Sequence, residues 1–167
     1  MPFKLSSSAF PNNGSIPQQY TCDGANSPPP LKWHGVPATA KSLALIVVDP
    51  DAPDPQAPKR TYVHWVVYDI PASANGIGDA GSAPAGARDG LNDWNRRGYG
   101  GPCPPIGRHH YFFKLFALDT VLDELRDPTK GQTGAGHARS HHRAGRADRH
   151  VPARGGQVGP TRPPRSA

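Results

Sequence analysis

No apolar run in the 167-residue chain approaches the roughly 18 residues that a membrane-spanning helix needs. The opening "MPFKLSSSAFPNNG" also lacks the apolar core, about 7–15 residues long, of a secretory signal. These two absences predict a cytoplasmic address and no membrane span. Cysteine is scarce: Cys22 and Cys103 allow at most one disulfide, and a reducing cytosol favours two free thiols. There is no glycine–lysine phosphate loop of the nucleotide-binding kind, no GxSxG nucleophile elbow and no cysteine–histidine spacing suited to zinc. No cofactor and no metal are therefore expected. Amphipathic helical periodicity is missing between the apolar stretches, which argues against a βαβ fold.

Glycine and proline are abundant instead, 19 and 21 residues, and this composition favours strands and loops over long helices. "KSLALIVV" (Lys41–Val48) is nearly continuous in apolar residues, as in a strand covered on both faces. "TYVHWVVYDI" (Thr61–Ile70) and "RHHYFFKLFALD" (Arg108–Asp119) read as two more strands. The segment Asp79–Pro105 is too polar and glycine-rich for regular structure, and "TVLDELRDP" opens a short helix capped by Thr120. The fold class this predicts is all-β: a β-sandwich with Greek-key-like connections, long loops and few short helices.

Charge divides the chain. Met1–Asp127 carries 11 Lys and Arg against 12 Asp and Glu, whereas Pro128–Ala167 carries 8 against 1. The whole net charge of +6 thus arises in the last forty residues, which also lack Leu, Ile, Met, Phe, Tyr and Trp. Such a segment buries too little apolar surface to offset its ordering cost and is expected to be a disordered tail. Back-translation offers an origin for it. Codons chosen for His141–Ala153 read, one base out of register, as an amphipathic helix followed by an extended end. We read residues 1–127 as one domain and 128–167 as a frameshifted basic tail of a GC-rich gene. An evolved basic arm for nucleic acid or an anionic membrane is an alternative, and on nucleic acid it requires steeply salt-dependent binding.

Four stretches hold most of the candidate functional residues: "DPDAP" (Asp49–Pro53), "VHWVV" (Val63–Val67), "GPCPPIG" (Gly101–Gly107) and "HHYFF" (His109–Phe113). Strand alternation puts His109 and Tyr111 on one face, with Cα atoms about 6.5–7 Å apart, and His110 on the other. The same alternation puts His64 on the face of Tyr62 and Val66, opposite Trp65. Asp49 ends an apolar strand at a proline-stiffened loop, where its carboxylate loses little further freedom on being fixed. Asp51 and Asp54 read as solvated turn residues, Asn92 and Asp93 as braces of the long loop, His34 as exposed, and Trp33, Trp65 and Phe113 as core.

Taken together, "AFPNNGSIPQQYTCDGANSPPPLKW", "DPDAP", "HWVVYDIPA", "GYGGPCPPIG" and "HHYFFKLFALD" resemble the phosphatidylethanolamine-binding protein family, also called Raf kinase inhibitor-like proteins, in its bacterial branch. The resemblance covers Phe3–Asp119. It implies a β-sandwich with a small anion pocket lined by Asp49, His64, His109 and Tyr111, with the Gly101–Pro102 backbone as one rim. Where the family usually shows His-Arg-Tyr this chain has His109-His110-Tyr111, and the basic tail replaces the family's terminal helix and strand. The prolines are then expected to hold Asp49 against an imidazole, while His64 and His109 present N–H donors and Tyr111 its O–H.

The function implied is non-catalytic binding of a phosphate monoester, a carboxylate or a phospholipid head group, with a role as regulator or inhibitor of a protein partner. No specific nucleic-acid partner is expected. A histidine–aspartate hydrolase or a metal-dependent enzyme is the competing class, because two histidines and a carboxylate can form a metal triad.

Overall fold

The computed structural model describes residues 2–103, 108–122 and 146–152. Among the described residues eight strands form two antiparallel sheets. The smaller has the order β1 (Lys4–Ser6), β2 (Leu31–His34), β5 (Gly76–Ile77). The larger has the order β6 (Arg88–Asp89), β4 (Arg60–Pro71), β3 (Ser42–Ala52), β7 (His110–Leu118), β8 (Arg146–Pro152). Two short 3-10 turns, Gln18–Tyr20 and Asp79–Gly81, are the helical elements among the described residues.

The three long apolar stretches become β3, β4 and β7, the centre of the larger sheet. Within that sheet β3, β4 and β6 are successive neighbours and β7 returns beside β3, the order of a Greek key. Alternation sorts their side chains. Leu43, Leu45 and Val47 of β3 meet Trp65 and Val67 of β4 and Tyr111, Phe113 and Leu115 of β7 on the inner face. Leu5, Leu31, Trp33 and Ile77 of the smaller sheet close the same core, making a sandwich. On the outer face Ile46 and Val48 cluster with Val63 and Val66. This double covering is why β3 reads as an unbroken apolar run.

Two parts of the chain depart from the compositional expectation. Inside the polar stretch 79–105, Arg88 and Asp89 pair with Tyr68 and Val67, and Leu91 bridges Arg97. In the basic tail, residues 146–152 run antiparallel to β7 from Phe116 to His110. Both follow from backbone chemistry: an open strand edge offers N–H and C=O groups that pair with any segment able to extend beside them. The remaining tail expectations at 128–145 and 153–167, and the helix body from Asp123, lie outside the described residues.

Three register shifts break the β3–β4 ladder, between Leu43 and Leu45, Val47 and Val48, and Asp49 and Ala52. The second matters most for function. Val47 pairs with Trp65 and Val48 with Val63, so His64 is the extra residue of a bulge.

Candidate functional site

The site is assembled where β3, β4 and β7 end on the inner face. Asp49 is two residues beyond the core residue Val47 and is buried. It accepts hydrogen bonds at both oxygens, from the Asp51 N–H at 2.8 Å and from the His109 Nδ1–H at 2.6 Å. His109, also buried, immediately precedes β7. Tyr111 follows on the same face with its ring stacked at 6.5 Å from that of His109, as the two-residue spacing predicts.

His64 corrects one expectation. Its ring meets Tyr111 edge-on at 5.0 Å, and Tyr111 belongs to the inner core with Trp65. Val63 and Val66 both lie in the outer cluster. The bulge therefore turns His64 to the same side as Trp65, away from Val66. Plain alternation fails here because it takes every residue to be paired.

The donor expected from His64 is committed elsewhere. A carbonyl oxygen only accepts, so the 2.8 Å contact between His64 Nδ1 and the Gly100 carbonyl fixes the proton on Nδ1. This is the one hydrogen bond of the His64 ring in good geometry among the described residues, and the Gly101 backbone also acts on the ring. Burial holds the His64 pKa below the ordinary imidazole value; the Gly100 hydrogen bond and the Asp49 charge oppose that shift without cancelling it. Among the described residues the buried Tyr111 hydroxyl has no hydrogen-bond partner in good geometry. Burial, followed by the nearby Asp49 charge, pushes its pKa up, so it stays a neutral O–H. Asp49 is thus close enough to act on Tyr111, while its two oxygens are aligned with His109 and Asp51 instead.

The rim is a tight backbone segment. Gly100 donates its N–H to the His64 carbonyl at 2.9 Å, and Gly101 donates to Asn26 Oδ1 at 2.8 Å. A Cβ on Gly100 would overlap the Trp94 ring, and one on Gly101 would overlap Asn26 Oδ1, so both positions demand glycine for close approach. The Pro102 carbonyl accepts from Cys22 N–H at 3.1 Å.

Cys103 continues this rim into a disulfide with Cys22, 81 residues away in sequence. The expectation of free thiols is thereby corrected. It rested on the compartment assigned to the chain, whereas pairing depends on the fold bringing the loop after Gln18–Tyr20 to the end of the rim.

Sequence reasoning passed over two contributors. Trp94, 39% exposed, meets His64 edge-on at 5.0 Å and Tyr62 at 4.8 Å, forming an aromatic wall. Asp51 is not a merely solvated turn residue: its Oδ2 accepts from both the backbone N–H of His110, at 2.8 Å, and its Nδ1–H, at 2.6 Å. Within "DPDAP" Asp51 reads as an ordinary turn acid until the fold sets His110 across from it, and Trp94 has no local signal.

Other assignments hold. Asp54 accepts from Gln56 N–H as a turn residue. Asn92 braces its loop through Trp94 N–H, Arg96 N–H and the Gly98 carbonyl, and Asp93 accepts from Val63 N–H and pairs with Arg60 at 3.1 Å. His34 is exposed, and Trp33, Trp65 and Phe113 are core.

The phosphatidylethanolamine-binding protein family model matches residues 6–149. A UPF0098 protein of Methanothermobacter thermautotrophicus is 53% identical over 123 residues, covering 71% of this chain and 78% of that protein. The crystal structure of a Chlamydia trachomatis protein named as a homologue of the family superposes with a TM-score of 0.80 at 34% identity, over 90% of this chain and 96% of that one. An Escherichia coli protein, YbcL, described as a new member of the mammalian family, gives 0.77 at 29% identity, over 92% and 98%. A sandwich of this topology and a match over most of the sequence place the chain in the phosphatidylethanolamine-binding protein family.

Proposed function

We propose that the protein is a non-catalytic binder of small phosphorylated or carboxylate groups, held at Asp49, His64, His109, Tyr111 and the Gly101–Pro102 rim. The observation that carries this reading is the Tyr111 hydroxyl, buried and with no hydrogen-bond partner in good geometry among the described residues, beside two histidines and a carboxylate. A buried orphan donor costs about 1–3 kcal/mol, which a ligand oxygen recovers on binding. The neighbouring groups are occupied in holding each other: Asp49 holds His109, and Gly100 holds His64. Rigid donors and acceptors held in this way suit recognition of a tetrahedral or planar oxyanion.

A phosphate monoester such as a phospholipid head group, or a phosphorylated segment of a partner protein that this chain then regulates, presents that chemistry. None of the proposed binding residues lies in the basic tail, so nucleic acid is not a specific partner in this reading. The disulfide bears on the compartment. A cytoplasmic address would keep Cys22 and Cys103 reduced, whereas the oxidised protein belongs in oxidising surroundings.

Titration with phosphorylethanolamine and with inorganic phosphate, followed by histidine NMR signals, tests the proposal. Saturable shifts of His64 and His109, abolished in Tyr111→Phe or His109→Ala proteins that remain folded, are expected. Turnover of the monoester, or a folded protein with no shifts, would overturn it.

A further inference from the structure

The hydrogen bonding of His64 restricts which oxyanions the site accepts. Gly100 takes the Nδ1 proton, so a neutral His64 offers Nε2 to the site as a lone pair. Tyr111 offers an O–H from a buried position with no aligned acceptor among the described residues. At His64 and Tyr111 the site thus sets one acceptor beside one donor. Its charged surroundings are acidic. Asp49 and Asp93 both act on His64, while Arg60 is engaged with Asp93 and lies over the Tyr62 ring. On the remaining sides His64 is faced by Tyr62, Trp94, Tyr111 and the Gly100–Gly101 backbone, none of which brings a positive charge.

A fully ionised oxyanion would place oxygen lone pairs against that of Nε2. An oxyanion that carries its own proton donates it to Nε2 and accepts from Tyr111 with another oxygen. We propose that the site selects oxyanions in a proton-bearing form, the monoanion of a phosphate monoester above all, and discriminates against sulfate esters through the lone pair of His64. The inference rests on the anion-binding reading and deepens it. Burial supports it independently, because it disfavours the imidazolium that would otherwise supply the missing proton.

Phenyl phosphate and phenyl sulfate make a nearly isosteric pair that separates the possibilities. A phosphate monoester loses its second proton near a pKa of about 6, whereas the sulfate ester has none to lose near neutrality. Calorimetric titration of the whole protein at about pH 6 should show phenyl phosphate binding at least about tenfold more tightly than phenyl sulfate. Its affinity should fall on the order of fiftyfold by about pH 8, as the monoanion disappears. Equal affinities for the two esters would overturn the selection by protonation while leaving an anion site intact. Binding of neither ester would overturn the anion reading and this inference with it. The tautomer is tested without any ligand, by the nitrogen-15 signals of His64 at neutral pH. A protonated Nδ1 with a bare Nε2 is expected, and a proton on Nε2 in the neutral ring would overturn the inference alone.

Discussion

His64 and Gly100 grip each other at two points. The ring Nδ1–H donates to the Gly100 carbonyl at 2.8 Å, and the Gly100 N–H donates to the His64 carbonyl at 2.9 Å. A bulged residue on a sheet end has no ladder partner to fix it, so the rim holds it in place. Gly100→Ala drives a methyl group into the Trp94 ring and separates the pair. A loss of about 1–3 kcal/mol of stability is expected, as for other overpacked sites, with a weakened phosphate titration. Urea unfolding and histidine NMR measure both, and an unchanged titration in a folded variant would remove the rim from the binding site.

Asp49 and His109 form the second such pair, buried and 2.6 Å apart. Asp49→Ala leaves two donors, the buried His109 Nδ1–H and the half-buried Asp51 N–H, without their Asp49 acceptor. About 1–3 kcal/mol of destabilisation is expected for each donor that water does not reach. The neighbouring turn supplies the control, since Asp54→Ala removes only the exposed Gln56 N–H contact and should stay within about 0.5 kcal/mol of the parent protein. Similar losses at Asp49 and Asp54 would show that Asp49 is not held as described.

The long strands were legible because both faces of β3 are covered and its apolar run is continuous, and because β7 alternates cleanly from Tyr111 to Ala117. The same alternation placed His109 with Tyr111 and His110 opposite. It misplaced His64 because a bulge is a property of two paired strands, and one stretch of sequence contains only one of them. The two-residue strands β5 and β6 escaped notice for a related reason: their order comes from backbone groups of β2 and β4. Asp51 shows the limit for polar side chains. As part of "DPDAP" it is indistinguishable from a turn acid, and only the position of His110 across the sheet gives it a partner.

The Cys22–Cys103 disulfide joins residues 81 apart in sequence and ties the rim to the loop after Tyr20. Constraint of the unfolded chain by a loop of this size is worth up to about 4.5 kcal/mol in the chain-entropy account. Reduction, or paired Cys22→Ser and Cys103→Ser substitutions, should lower the urea midpoint accordingly. Thiol alkylation of the unfolded, unreduced protein followed by mass measurement checks the bond itself. Labelling of both cysteines before reduction would show that it is not formed in the isolated protein.

Stability should also record the state of His64. Its pKa in the folded protein lies below the ordinary value of about 6.5 for an unfolded chain. Between those two values the unfolded chain binds more protons than the folded one, so the unfolding free energy rises with pH. The folded state keeps its full advantage above about pH 6.5 and loses stability as pH falls through the window beneath it, by at most about 1.4 kcal/mol per pH unit from one residue. The absolute dependence sums every ionisable group of the protein, so the diagnostic quantity is a difference in slope. Urea unfolding of the parent protein and of His64→Gln across this window should give a shallower dependence for the variant, whatever its absolute stability. Parallel slopes would mean that His64 protonates as easily in the fold as outside it, and that burial beneath Tyr62, Trp94 and Tyr111 does not keep its ring neutral.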